Sequence, residues 1–538
     1  MNKTLKITLI CVAAVLAVLL IGKTIARHVA VKNVRTALEN IPGARIQFQD
    51  LSFSLLAGNV GLRDVEFELS DSTVSGQKIE GSIHAIELEG IKLRRLLKGE
   101  ARARCLLIKK PVIRVTLDEK APEAPEAPED TAISADASFL RQVFLSELKV
   151  EKGSIGLQSL NNSTKASVQN LGFSLKDIEV LPADKKVEFN DSSYHVSLDS
   201  LDFIDPDGLN RVQIAHLSTS EAGPVQARGM HLYNCVPMEA VAEKMGKVAA
   251  MWYDVQLDSL LTSEINLPRL AREKNIEIKS ISVSGPKAVI FQDDRYPPAV
   301  PYPTMQEGIN AVEMPLHIQE INAHFKDFSF IWETSKVNRG SIPMQNVRVA
   351  LTSVSNAKDN VMGMSITSRL TGKGRLNMMV STRNNHAETT TGKITASDLD
   401  ASRMDSFLRP LFGVTAQANM QKIDCTFKGN KTKMAGDFCM IYNNLTVKAW
   451  DDKTAPFQIV AQHSGAINFL ANVALPDSNP KIKGKDPKRV NIEFERDPMQ
   501  PYPAYLIQCM TNGMLKTVLP GGAIKKAQAK KAQASKKK

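Results

Sequence analysis

Residues 91–117, IKLRRLLKGEARARCLLIKKPVIRVTL, return in altered form at 266–292 as NLPRLAREKNIEIKSISVSGPKAVIFQ. Each copy reads as a short helical turn (Leu93, Leu96 and Leu97; then Leu267 and Leu270), a strand, a proline and a second strand. The two prolines, Pro111 and Pro286, stand 175 residues apart. A proline-rich segment follows each copy, APEAPEAPED at 121–130 and YPPAVPYP at 296–303. Self-similarity at a period of about one domain predicts tandem structural units rather than one irregular fold.

Outward from this repeat the hydrophobic period is two. Ile46 and Phe48, then Leu51, Phe53 and Leu55, then Val65, Phe67 and Leu69, then Ile86 and Leu88, and then Ile113, Val115 and Leu117 alternate with charged or small polar residues. Such alternation predicts antiparallel strands with one apolar and one wetted face. A slip of phase between Phe48 and Leu51 predicts a bulge or turn there. The prolines divide the repeat into separate strands, at 275–283 and 287–292 in the second copy. Helices are expected at 24–41, stopped by Pro42-Gly43, and around 237–250, where Val241, Met245 and Val248 share a face. Two further amphipathic stripes are Met404, Phe407, Leu408, Leu411 and Phe412, with Ser402 as N-cap, and Leu506, Met510, Met514 and Val518. The commoner fate of such helices is packing on a sheet, and the alternative is lying on a membrane.

The 538 residues are 43% apolar, enough for two to four ordinary domains. The net charge of +11 sits at the ends. Residues 1–35 carry six Lys or Arg and no acid, and 525–538 carry seven Lys and no acid. The body between is nearly neutral, which argues against a nucleic-acid-binding surface. The Lys-rich tail has a solubilising reading and a polyanion- or lipid-contact reading. Residues 7–22, ITLICVAAVLAVLLIG, are apolar and flanked by lysines, with Leu5 and Ile25 able to lengthen the run, so a membrane segment is expected. A cleaved signal peptide would want small residues promptly after the run. Lys23 and an amphipathic stretch follow instead, which favours an uncleaved anchor. The Lys/Arg count, two before the run and four after, taken alone places the body on the cytoplasmic side, although long domains translocate largely regardless of such charges.

The division that follows is an anchor at 1–24, a first β unit at 25–117, and an acidic linker at 118–135 with three APE triplets. The first repeat continues over 136–210, a second spans 211–380, a β/helix module covers 381–519, and the Lys tail is 520–538. No HExxH, GxSxG or phosphate-loop spacing is present, the nine histidines are dispersed, and six cysteines lack CxxC spacing. No catalytic, cofactor or metal residue is singled out, and the chain is not expected to be an enzyme.

The opening, with RIQFQDLSFSLLAGNVGLRDVEFEL, then Leu96-Leu97-x-Gly99 and the Pro111-to-Ile113 step, resembles AsmA-like proteins of bacterial envelopes, a group related to TamB and bridge-like lipid-transfer proteins. The stretch from 392, GKITASDLDASRMDSFLRPLF onward to Tyr442, resembles the C-terminal module of that family. The resemblance implies a fold that is mainly β with a few helices, an N-terminal transmembrane helix followed by tandem curled antiparallel β-sheet units forming an apolar groove. It implies an inner-membrane anchor, a periplasmic body, and binding or transfer of phospholipid in support of outer-membrane homeostasis. Ile113, Val115, Leu117, Val289 and Phe291 are the candidate groove contacts. Alternation alone fits a closed sandwich equally well. A scaffold for outer-membrane proteins, acting through sheet edges and with other envelope proteins as partners, is the alternative function.

Overall fold

The computed structural model describes Arg35 and residues 44–519, apart from 118–141, 450–474 and short turns such as 71–76 and 266–269. The expected anchor, the helix at 24–41, the Leu96-Leu97-x-Gly99 turn, the acidic linker, the side chain of Leu117 and the Lys tail lie outside the described residues. No described helix is long and apolar enough to cross a membrane.

The chain divides into two compact units, one formed by residues up to Met230 with 266–269, the other by 231–265 with the residues from Leu270 on. In the first, β1 (Ala44–Gln47), β2 (Asp50–Ser54), β3 (Asn59–Ser70), β4 (Gln77–Glu89), β5 (Glu100–Leu117), β6 (Gln142–Ser159), β7 (Thr164–Leu181), β8 (Lys186–Glu188), β9 (Tyr194–Ile204) and β10 (Asn210–Thr219) follow one another. Strand β11 (Pro224–Asn234) runs across the boundary. In the second come β12 (Ala250–Glu264), β13 (Ile276–Asp294), β14 (Leu316–Thr334), β15 (Gly340–Ser355), β16 (Val361–Leu370), β17 (Arg375–Arg383), β18 (Thr390–Asp400), β19 (Val414–Gly429), β20 (Lys433–Ala449) and β21 (Arg489–Glu495).

The duplication is plain in the pairing. In both units an antiparallel pair (β4–β5; β12–β13) leads to a parallel pair (β5–β6; β13–β14) and then to another antiparallel pair (β6–β7; β14–β15). This corrects the expectation of wholly antiparallel units. A parallel neighbour requires the chain to return to the starting end before pairing. Leu117 pairs with Ser159 and Glu100 with Gln142, so β6 starts beside the start of β5, the length of an 18-residue strand from where β5 ends, about 60 Å. The proline-rich segments are therefore the crossovers of the two repeats. The prolines do not divide strands either, since β5 passes through Pro111 and β13 through Pro286. Proline lacks the N–H that a ladder uses and is confined to interruptions. Lys110, just before Pro111, is left-handed (φ 48°), and in the β5–β6 ladder the pairing skips from Lys109–Glu151 to Val112–Ser154.

Left-handed residues recur inside the strands. Asp64, Lys110, Lys152, Asn170, Asp177, Ser200, Asn346, Ser353, Asp398 and Asn444 lie within strands with φ between 48° and 57°. At Lys152, Asn170, Ser200, Asn346 and Asn444 the register with a neighbouring strand shifts, as at a bulge, whereas at the other five the ladder skips a pair without shifting. Thus Met440 and Tyr442 precede Asn444 and Leu445 and Val447 follow it, and the β19 register shifts between Gln417 and Asn419 opposite. Six of the ten are Asn or Asp, the non-glycine residues that enter this conformation at least cost. We expect Asn444→Val to lower stability by about 1–2 kcal/mol and Asn444→Gly to be near neutral, read from denaturant midpoints; equal midpoints for the two would refute the bulge account.

The expected helix at 237–250 is shorter, a 3-10 turn at Met238–Ala240 running into α1 (Val241–Lys244), with Met245 exposed beyond it. Helix α2 (Met305–Asn310) lies in the second crossover and carries a complete capping box between Thr304 and Glu307. Helix α3 (Asp405–Phe412) begins later than Ser402 suggests, because the Ser402 hydroxyl donates to Asp400 at 2.6 Å and closes a separate turn. Helix α4 (Tyr502–Val518) matches the second apolar stripe.

Candidate functional site

Register places residues of different strands side by side, and in each unit it assembles apolar rows that no local stretch displays. In the first unit Leu69, Ile79, Val115, Leu157, Ala166, Phe203 and Val212 are successive partners from β3 to β10. They are half-buried, with Phe203 exposed. Towards the other end of the same strands, Leu62, Ile86 and Ile108 form a row buried in the core. Ile113 packs against that core, as do Leu69 and Ile79 of the half-buried row to which Val115 belongs. Other positions are polar and cross-linked: Arg114 bonds Glu80 at 2.9 Å, Lys109 bonds Glu87 at 2.8 Å and Arg211 pairs with Asp202. Such exposed pairs add little stability. Their effect is to keep that side wetted.

In the second unit one row runs through ten strands: Leu260, Val283, Ala323, Val349, Ile366, Met378, Ile394, Cys425, Phe438 and Val490. One residue away, Leu261, Ser282, Asn322, Ala350, Ser365, Met379, Lys393, Thr426, Asp437 and Asn491 form the mostly polar row of the opposite face. Burial along the apolar row is graded. Leu260 to Met378 are half-buried, whereas Ile394 (4% exposed), Cys425 (0%) and Phe438 (1%) are enclosed. The enclosure comes from α4, which sends Tyr505, Leu506 and Cys509 into the same cluster. Gly513 of α4 sits so close to Phe438 that a methyl group there would lie 2.1 Å from the ring. Helix α3 seals another place, with Phe407 edge-on to Trp332 at 6.0 Å. Both amphipathic helices are thus packed on the sheet. Over β12–β17 no described helix covers the row.

The other two candidate contacts, Val289 and Phe291, lie on the opposite face of β13 from Ala288 and Ile290. Val289 and Phe291 alternate in phase with Lys287 and Asp293, and Lys287 pairs with Asp254 at 3.0 Å. Phe291 is 0% exposed, packed with Val241, Ala242 and Ala250 and capped by the Arg339 guanidinium at 5.3 Å. Facing the other way are Ala288, paired with Val255 and Phe328, and Ile290, paired with Tyr253 and Phe330. Aligning the two repeats on their prolines finds them, because Ile113 and Val115 stand two and four residues after Pro111, as Ala288 and Ile290 do after Pro286.

The second crossover binds its own unit together. Tyr302 donates to Asp294 at 3.2 Å, Gln292 donates to Asp294 at 2.8 Å and to the Tyr302 hydroxyl at 2.9 Å, and Arg496 donates to the Tyr302 carbonyl. The segment is therefore tied both to the end of β13 and to the residues after β21. Burial pushes the Asp294 carboxyl up to about 6, against the hydrogen bonds it accepts, and the nearby Asp293 adds to the rise. A carboxyl raised above its unfolded value holds its proton in the folded state, so its stabilising contribution is full below about pH 4 and fades as pH rises through about 6. Asp294→Asn is expected to remove a fall in stability on the order of 2–3 kcal/mol between those limits, measured as the difference between wild-type and variant unfolding free energies across pH. Parallel pH profiles for the two chains would refute this.

Among the described residues no three His, Cys, Asp or Glu side chains gather as a metal site. Cys425 and Cys509 are buried and free, and the neighbouring Cys425 thiol together with burial pushes Cys509 far above the usual thiol range. That is the character of inert core cysteines. No protein-family model matches the chain, and no curated protein sequence is similar to it.

Proposed function

We propose that the half-buried apolar rows bind acyl chains of phospholipid, and that the protein is a membrane-anchored envelope component of the AsmA-like kind that holds or passes lipid along this face. The supporting observation is the ten-strand row of the second unit, apolar at every position, half-buried over β12–β17 and, among the described residues, closed by a helix only at its end. Apolar surface left partly open at this length marks a binding surface for something apolar, and burying it stabilises the occupant by roughly 25 cal/mol per Å². In this reading residues 7–22 are the inner-membrane anchor and the two units lie in the periplasm.

Val115→Asp places a charge in the row, whereas Thr116→Asp places one on the opposite face. Under the lipid reading the first loses bound phospholipid and the second keeps it, both with wild-type melting. If the two variants retain equal phospholipid, a lipid-independent scaffold for outer-membrane proteins becomes the better account.

A further inference from the structure

The segment 476–488, PDSNPKIKGKDPK, is polar at almost every position, yet the structure fixes it firmly. Asn479, 5% exposed, donates to the Met440 carbonyl at 2.6 Å and accepts from the Lys488 amide at 2.7 Å. Tyr442 donates from its hydroxyl to the Pro476 carbonyl at 3.2 Å. Lys488 donates to the carbonyls of Lys516 and Thr517 at 2.7 and 3.0 Å, joining the segment to the last turn of α4. From this base projects a tight turn, closed by the Lys485 amide donating to the Ile482 carbonyl at 3.1 Å.

The turn presents Lys481, Ile482, Lys483, Gly484 and Lys485, all exposed. Ile482 is 65% exposed at the tip. Lys481, Lys483 and Lys485 make no ion pair among the described residues. Beside the turn opens a cavity of about 260 Å³, walled by Tyr442 and Pro480 and rimmed by Lys481, Ile482, Lys485 and Lys488, with Asp486 also on its wall. Burial, with a smaller contribution from the nearby Lys481, holds the Lys488 ammonium below its usual range. The chain leaves α4 at this same place, and seven lysines follow at 525–538.

We propose that this turn and its cavity dock the second unit onto an anionic phospholipid surface, with the phosphate of a headgroup received between Lys481, Lys485 and Lys488 and with Ile482 entering the interfacial layer. The lysines and the isoleucine have separate reasons. Lysines near an anionic surface gain from its negative potential, and an isoleucine exposed among lysines gains only where apolar material lies beyond the charges. The inference stands apart from the apolar rows, since it concerns attachment to a bilayer and not carriage of a lipid.

The test holds the full-length chain in phosphatidylcholine nanodiscs on a sensor surface and passes over it vesicles of phosphatidylcholine alone or mixed with phosphatidylglycerol. Capture of the mixed vesicles only, weakening with salt, is expected. Lys481→Gln/Lys483→Gln/Lys485→Gln should weaken it roughly a hundredfold with the tail intact, and Ile482→Ser should weaken it in the triple variant's direction at unchanged melting temperature. Inorganic phosphate in the buffer, which mimics the headgroup without a bilayer, should compete only at high concentration. Equal capture of both vesicle types, a triple variant that binds like wild type, or complete displacement by dilute inorganic phosphate would overturn the proposal, the last by showing a site for the free anion.

Discussion

Replacing Arg295 by Leu is expected to destabilise the second unit by about 3–5 kcal/mol. Asp293 has no exposed surface, and its carboxylate is gripped by Arg295 through Nε at 2.9 Å and Nη2 at 2.7 Å. The same guanidinium donates to the Glu239 carbonyl, so it fastens the turn before α1 to the end of β13. Asp293 in turn raises Arg295 further above its already high range. Removing the cation leaves a carboxylate in the interior without a counter-charge, which costs far more than the pair itself contributes. Asp293→Asn is milder, because Arg295 keeps access to solvent. The double variant Asp293→Asn/Arg295→Leu should be more stable than Arg295→Leu alone, a non-additivity that denaturant unfolding reads directly. If Arg295→Leu were no worse than Asp293→Asn, the pair would not be the constraint described here.

Gly513→Leu is expected to cost about 3 kcal/mol and to lift α4 from the sheet. A Cβ at this position would stand 2.1, 2.3 and 2.7 Å from three atoms of Phe438, itself 1% exposed and held between β19 and β21. Neither partner has room to move. The better helix propensity of Leu returns only about 1 kcal/mol. Lifting α4 uncovers Cys425 and Cys509, both 0% exposed, so thiol labelling should accelerate along with the fall in melting temperature. Phe438→Ala in the same chain should relieve part of the loss. A Gly513→Leu chain with wild-type stability and silent thiols would show that α4 does not close the row.

Much of this architecture is written in the sequence as period and repetition. The alternation around Phe67, Ile86 and Val115 marks two-faced strands, the stripe at Leu506, Met510 and Met514 marks α4, and the 175-residue repeat marks the paired parallel junctions' positions. The parallel pairing itself was not legible, because alternation is the same whichever direction a neighbour runs. The strands' continuity through Pro111 and Pro286 was hidden too, since a proline in sequence does not reveal that the ladder opens beside it. Left-handed residues such as Asn346 and Asn444 look like turn signals, and only register shows that they sit inside strands. Val289 and Phe291 sit one residue out of step with Ala288 and Ile290, and no left-handed residue in β13 marks the change of phase. The ten-strand row is a property of register and could not be read from any single stretch.

The central claim is that lipid lies against one face of each sheet, and photo-crosslinking tests it position by position. A photoreactive phenylalanine analogue is placed in the full-length chain at Val349 or Ile366 of the apolar row, and at Ala350 or Ser365 of the opposite row, neighbours in the same strands. Irradiation in intact cells followed by mass spectrometry is predicted to give phospholipid adducts at Val349 and Ile366 and none at Ala350 and Ser365. Adducts at both rows alike, or protein adducts alone at Val349 and Ile366, would contradict it.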